Sequence, residues 1–297
     1  MTVTVTDDRY PTRGAGRIGI EPRHDPVVWA PERANSPLDQ RAVDGFDKDG
    51  FLAVDRLLDG DVVADLQDEL STLRTNQAVV DDERSILEPD SQEIRSIFEV
   101  HRVSTAFGAL VADPRLVGPA RQLLGSEVYV HQSRVNFKPG FNGKDFYWHS
   151  DFETWHAEDG MPAPRAVSVS IALSENFDYN GSLMIMPGSH RWFVSCPGET
   201  PADHYRSSLR RQEVGTPDQD SLAWLAAEGG IRQFTGPAGS AVFFDSNAMH
   251  GSNSNITPYP RSNIFIVYNS IENTLVEPFG AAVPRPTFIA NRIFEAV

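Results

Sequence analysis

Phe146-Tyr147-Trp148-His149-Ser150-Asp151-Phe152-Glu153-Thr154-Trp155-His156 is the stretch from which the rest of the chain is read. It places one imidazole, His149, two positions before one carboxylate, Asp151. In an extended strand residues i and i+2 share a face, so the pair is expected to converge on one point. Two histidines and one carboxylate form the facial triad that holds non-haem Fe(II) and leaves coordination positions open. With eight histidines in the chain, an H-x-D pair arises by chance roughly half the time, so the other members of the site must carry the reading.

The third ligand is read at His250, just beyond the apolar run 240–244. Ligands so far apart in sequence fit a barrel, in which distant strands bring their ends together. Arg261 opens a further strand, residues 262–271. An arginine set deep in a strand offers a fork of donors to a carboxylate. A metal triad plus a carboxylate-binding arginine is what a 2-oxoglutarate-dependent oxygenase requires.

The 297 residues carry 26 basic against 41 acidic side chains, a formal charge of −15. That charge repels nucleic acid and anionic lipid, so neither is expected as a partner. An anionic cosubstrate then needs local cations, and Lys138 and Arg261 are the candidates. Cys196 is the only cysteine, which excludes an internal disulfide and reads as a small buried filler. No basic segment followed by an apolar core opens the chain, and no apolar run approaches a membrane span. A cytoplasmic location is expected.

Residues 1–37, rich in Pro, Arg, Asp and Thr without periodicity, read as an extended or partly disordered arm. Residues 38–297 read as one domain. Helical spacing runs over 41–49, over 59–73 with Asp59 as its cap, and over 113–124 ending at Gly125. A short strand covers 50–54, whereas 76–97 is too irregular to assign. From 127 to 271 short β-rich runs alternate with Gly, Pro and Asn, the mark of a sandwich or barrel. They cover 128–138, 165–173, 182–186, 231–234, 240–244 and 262–271. The polar excursion 191–230, with a short helix near 218–227, reads as a lid or dimer contact.

These residues carry a resemblance. The run 181–190 (GSLMIMPGSH), with H-x-D upstream and His250 and Arg261 downstream, resembles the phytanoyl-CoA dioxygenase superfamily over about residues 44–271. More narrowly, residues 146–162, 131–140 and 94–101 look like the signature of ectoine hydroxylases. The resemblance implies a mainly β fold, a double-stranded β-helix (jelly-roll, cupin-like) core with flanking helices. It also implies Fe(II), with 2-oxoglutarate and O₂ as cosubstrates, and hydroxylation of ectoine to 5-hydroxyectoine with release of succinate and CO₂, a step in making a compatible solute against osmotic or heat stress. A homodimer is compatible with it. Carried over residue by residue, His149, Asp151 and His250 match the iron ligands. Lys138, Asn136, Ser252 and Arg261 fall at the 2-oxoglutarate contacts, and Gln132, Thr154, Trp155 and Arg285 at the substrate contacts.

Physical chemistry supports these types independently. Ectoine pairs a delocalised amidinium with a carboxylate; the Trp155 face suits the first through cation–π attraction, and an arginine, Arg285, suits the second. His156 reads as a residue behind the ligands or at the surface, His131 as a hydrogen-bonded structural histidine, and Trp148 and Phe152 as core. Two other readings stand beside this one: a hydroxylase of another small zwitterion such as proline, and a non-oxidative jelly-roll binding protein.

Overall fold

The computed structural model describes residues 8–14, 19–30, 36–88, 93–208 and 214–297. The expectation for the first seven residues, and parts of those for the arm, for 76–97 and for the 191–230 excursion, lie outside the described residues. Among the described residues no helix is long and apolar enough to cross a membrane.

The strands are β1 (Gly19–Pro22), β2 (Phe51–Val54), β3 (Ser85–Leu87), β4 (Ile94–Phe98), β5 (Val128–Lys138), β6 (Phe146–His149), β7 (Ala166–Ala172), β8 (Leu183–Ile185), β9 (Trp192–Ser195), β10 (Arg232–Gln233), β11 (Ala241–Asp245), β12 (His250–Ser252) and β13 (Arg261–Ser270). They form a seven-stranded sheet in the order β2-β11-β7-β13-β5-β4-β3 and a four-stranded sheet in the order β10-β8-β12-β6. The mainly antiparallel, sheet-rich architecture with packed helices is the jelly-roll core the resemblance implied. The larger sheet also takes in β2, β3 and β4, which lie upstream of residue 127.

Strand alternation sorts the side chains into two layers. On β13, Ile264, Ile266 and Tyr268 point outward, as do Val167, Val169 and Ile171 of β7 and Ala241 and Phe243 of β11. All are buried in one cluster with Phe46, Leu66, Leu70, Phe107, Leu116 and Leu123 from the helices. Fully burying such a side chain contributes about 1.5–3 kcal/mol, so this layer dominates the fold's stability. The opposite face turns inward toward the smaller sheet. It carries Phe51, Val242, Phe244 and Phe265, which pack against Leu183 and Ile185 of the smaller sheet, beside a buried polar row of Ser96, Asn136, Lys138, Ser168, Ser170, Arg261 and Asn263. Ser96 with Asn136, Ser170 with Asn263 and Lys138 with Ser252 satisfy much of this row by hydrogen bonds. Arg261 Nε and Nη1 are left without partners, which is costly unless something is bound there.

Helix ends follow the expected chemistry with one exception. Asp39 caps the Gln40–Asp49 helix by accepting from the Ala42 N–H at 2.8 Å. The Pro114–Leu124 helix begins at an Asp113 cap and ends at Gly125. Asp59 does precede the Gly60–Thr75 helix, but its side chain makes no capping hydrogen bond. It instead lies 3.7 Å from the Arg115 guanidinium, which competes for the carboxylate.

The described part of the arm is extended and packed onto the domain. β1 pairs antiparallel with β9 within the 191–230 excursion, and Tyr10 and Arg13 are buried.

Candidate active site

His149 is the last residue of β6 and His250 the first of β12; the two are direct cross-strand partners in the smaller sheet. Their rings lie 4.2 Å apart between centroids. Asp151 does not continue the strand, as the i, i+2 argument supposed. The chain stays extended through Ser150 (φ −102°, ψ 127°) and Asp151 then opens a short helix, Asp151–Thr154. One extended residue before the turn suffices to bring the carboxylate back beside the imidazole. The Ser150 hydroxyl caps this helix by accepting from the Glu153 N–H at 3.4 Å.

Ligand-ready atoms from His149, Asp151 and His250 lie within 4.8 Å of one another. Hydrogen bonding fixes what those atoms are. His149 Nδ1 lies 2.7 Å from the Tyr147 carbonyl and His250 Nδ1 3.0 Å from the Ala248 carbonyl. A carbonyl only accepts, so each Nδ1 carries the proton and each Nε2 keeps a lone pair. Those lone pairs face the Asp151 carboxylate, with Nε2 of His149 3.6 Å from Oδ1 and Nε2 of His250 3.8 Å from Oδ2. Burial pushes the His250 imidazole down to about 4, so it is neutral at neutral pH. Burial would raise Asp151, but positive charge at the His250 and His149 imidazoles, with Arg134 beside them, outweighs it and holds its carboxyl well below the usual range, so this carboxylate favours a cation at that point. Three acceptors aimed at one point repel one another unless a cation stands between them. Two nitrogens and one oxygen, with the remaining directions open, suit a divalent iron.

Next to this trio lies a cationic floor. Arg261 is partnered with Lys138 across β13 and β5. Its Nε and Nη1 are buried without any hydrogen-bond partner, and burial pushes the guanidinium down to about 10. Lys138 Nζ donates to Ser252 Oγ at 2.8 Å and to the Asn253 carbonyl; burial, then Arg261, holds its pKa well below the ordinary value. Neither cation has a carboxylate within ion-pair distance among the described residues. Asn136 Oδ1 accepts from Ser96 Oγ at 2.8 Å. Arg95, in the region left unassigned from sequence, pairs with Glu88 at 3.0 Å and lies 4.0 Å over the Phe146 ring.

On the other side the chain passes from the short helix into a wider π-helical turn, Trp155–Asp159. Such turns re-aim side chains and recur at functional sites. Gly160 (φ +78°) stops it; a Cβ there would stand 2.7 Å from the Glu277 carbonyl. Trp155 is buried edge-on to His131, with ring centroids 5.0 Å apart. Gln132 Nε2 donates to the Ile289 carbonyl at 2.7 Å, and Thr154 Oγ1 donates to Glu153 at 3.4 Å.

The structure adds detail to several of these residues and corrects one. Arg285 does reach this side, but its fork is occupied: Nε donates to Asp159 Oδ1 at 2.7 Å and Nη2 to Oδ2 at 2.5 Å. His131 is not hydrogen-bonded; neither ring nitrogen has a partner, and Nε2 stands 3.7 Å from Asp159. His156 takes the first of the two places read for it, buried behind the ligands and stacked on Phe279 with centroids 4.0 Å apart. Sequence reading also passed over Arg134. Its Nε is buried and unpartnered, its guanidinium lies between the Phe98 and Phe265 rings at 5.8 and 5.4 Å, and burial lowers its pKa. The signal was available: Gln132, Arg134, Asn136 and Lys138 alternate along one strand and share its inner face.

Comparison with known proteins agrees with this geometry. The family model for phytanoyl-CoA dioxygenase (PhyH) matches residues 46–263. An ectoine dioxygenase from Streptomyces coelicolor is 58% identical over 299 residues, covering 100% of both chains. The crystal structure of EctD from S. alaskensis with 2-oxoglutarate and 5-hydroxyectoine has 47% identity and a TM-score of 0.89, over 98% of this chain and 96% of that one. The same protein with bound Fe has a TM-score of 0.87 at 46% identity, over 98% and 97%. With most of its length matched by the family model and all of it by a relative of this identity, the chain belongs to the phytanoyl-CoA dioxygenase family and, within it, to the ectoine dioxygenases.

Proposed function

We infer that this protein hydroxylates ectoine to 5-hydroxyectoine, using Fe(II), 2-oxoglutarate and O₂ and releasing succinate and CO₂. The observation that carries the reading is the trio His149, Asp151 and His250, three acceptors converging where only a cation relieves them. These residues would hold the iron, which when bound supplies the oxygen chemistry that replaces a C–H bond with C–OH.

The chain's own residues do the rest. Arg261, buried with two unpartnered donor positions, receives the far carboxylate of 2-oxoglutarate as a charge-assisted fork, with Lys138, Ser252 and Asn136 beside it. The Trp155 face meets the ectoine amidinium, and Gln132 and Thr154 offer polar contacts. Because Asp159 takes Nε and Nη2 of Arg285, Arg134, whose buried Nε has no partner, is better placed to take the ectoine carboxylate, and Arg285 serves by holding Asp159. Phe98, Phe146 and Phe265 wall these groups from water, which strengthens every charged contact inside.

Product analysis tests the assignment. Mass spectrometry of an incubation with Fe(II), 2-oxoglutarate and O₂ should show 5-hydroxyectoine from ectoine and little product from free proline. A preparation that hydroxylates proline but leaves ectoine unmodified would overturn the substrate and spare the chemistry. Trp155→Ala should weaken ectoine binding by about 0.5–2 kcal/mol from the lost cation–π contact, and more if packing also loosens. It should disturb ectoine turnover more than ectoine-independent consumption of 2-oxoglutarate; equal losses in both would remove Trp155 from the substrate subsite.

We further propose a single domain over 38–297 acting in the cytoplasm as a homodimer. A reducing compartment suits the one cysteine, Cys196, which is buried and unpaired with another. Exposed Phe141, Ile256 and Tyr259 offer apolar surface for a second copy.

A further inference from the structure

The segment that carries Thr154 and Trp155 is gripped from outside by the N-terminal arm. Four arm residues bracket it. Arg13 Nε donates to Glu153 Oε1 at 2.7 Å and Nη2 to Oε2 at 3.0 Å, and Nη2 also lies 3.2 Å from Glu158 Oε1. Thr12 Oγ1 donates to Glu153 Oε1 at 2.7 Å. Tyr10 sets its ring edge-on against Phe152, with centroids 5.0 Å apart. Asp8 meets His156 Nε2 at 2.9 Å. Every residue so held lies at 152, 153, 156 or 158, immediately before or after the Thr154–Trp155 pair.

Both side chains of the Arg13–Glu153 pair are 1% exposed. A bidentate arginine fork fixes direction as well as distance, which a solvent-exposed pair does not. The grip is also locked from behind. Arg13 and Gly14 N–H groups donate to the Cys196 and Gly198 carbonyls at 2.9 and 2.7 Å. Gly215 (φ +73°) comes so close that a Cβ there would collide with Arg13 Nη2 and stand 2.8 Å from Glu153 Oε2. The arm is thus wedged between the 152–158 segment and the 191–230 excursion. No comparable contact joins residues 8–14 to Lys138, Ser252 or Arg261 among the described residues; the arm's other buried ion pair, Arg23–Asp245 at 2.7 Å, lies at the end of β11 and is separate from this grip.

We propose that the arm completes the ectoine subsite, with Arg13 a positioning residue that acts through Glu153 and Glu158 on Thr154 and Trp155. This rests on the reading that Thr154 and Trp155 hold ectoine. The 8–14 grip then sets substrate affinity without touching the substrate, and leaves the cosubstrate side unaltered.

Full-length wild type, Arg13→Met, Arg13→Lys and Trp155→Ala are compared for ectoine KM, 2-oxoglutarate KM and ectoine-independent 2-oxoglutarate consumption. Small misplacement of a positioned group costs up to about a hundred-fold, and Arg13→Met is expected to raise ectoine KM at least about ten-fold with both other readouts unchanged. Arg13→Lys keeps the charge but loses the fork, so it should fall between. An unchanged ectoine KM in Arg13→Met overturns the proposal. So does a parallel rise in both KM values, which marks a general loosening. If ectoine KM in Trp155→Ala is unmoved, the subsite reading fails and the proposal with it. Should Arg13→Met not yield folded protein, Arg13→Lys and Arg13→Gln, which also lose the fork, carry the same split: a rise in ectoine KM alone supports the grip, and no rise overturns it.

Discussion

Replacing His149, Asp151 or His250 with alanine is expected to abolish iron retention and hydroxylation while leaving the fold intact. Losing even an outer partner of a metal ligand typically costs about ten- to a hundred-fold, so losing a ligand from a set of three should exceed about a hundred-fold in turnover. The fold should survive because the trio is not a stabilising cluster in the metal-free chain. Its two Nε2 lone pairs face a carboxylate at 3.6 and 3.8 Å, and deleting one acceptor relieves that repulsion. Metal analysis after dialysis, product formation and a thermal melt check the three parts separately. Near-wild-type hydroxylation by any two of the variants would refute the ligand assignment. A metal-free Asp151→Ala that melts far below wild type would refute the view of the trio as mutually repulsive.

How much of this could be read before the structure depended on whether the cause was local. The helices at Gln40–Asp49 and Pro114–Leu124 declare themselves through caps and spacing confined to a dozen residues. The triad was legible because few residue types bind iron and two of the three sit in one short run. β4 was not legible, because all five of its residues, Arg95 and Ser96 included, are buried and so show no alternation. Asp59 looked like any N-cap, and only the folded chain brings Arg115 to it. The packing of the arm lay further still out of reach: Arg13 finds Glu153 across 140 positions, and no periodicity announces such a partner.

Within the site, sequence order identified residue types but not their occupancy. Arg285 is buried and Arg134 half-buried near the same side, and a motif treats them alike. Hydrogen bonding separates them, since one fork is filled by Asp159 and the other retains an unpartnered Nε. The turn from strand to helix at Ser150 is a similar case. The i, i+2 argument reached the right convergence through the wrong backbone, because only one extended residue, not a continuing strand, is needed between the ligands.

Arg261→Ala should produce the largest effect on the cosubstrate. Its guanidinium is buried, has no carboxylate partner among the described residues, and leaves two donor nitrogens unsatisfied. Such a group is costly to keep in the ligand-free protein. The fold accepts that cost where a bound carboxylate repays it. Truncating one member of a buried charge pair costs about 2–5 kcal/mol, which is at least about thirty-fold in the 2-oxoglutarate concentration required. Arg261→Lys should recover only part of this, because an ammonium cannot reproduce the planar fork. The same reasoning has a second consequence: 2-oxoglutarate should raise the melting temperature of the wild type, and Arg261→Ala should lose most of that rise while its ligand-free melt stays level or improves. A folded Arg261→Ala with an unchanged 2-oxoglutarate titration would move the anchor to Lys138, whose ammonium already rests on Ser252 and the Asn253 carbonyl.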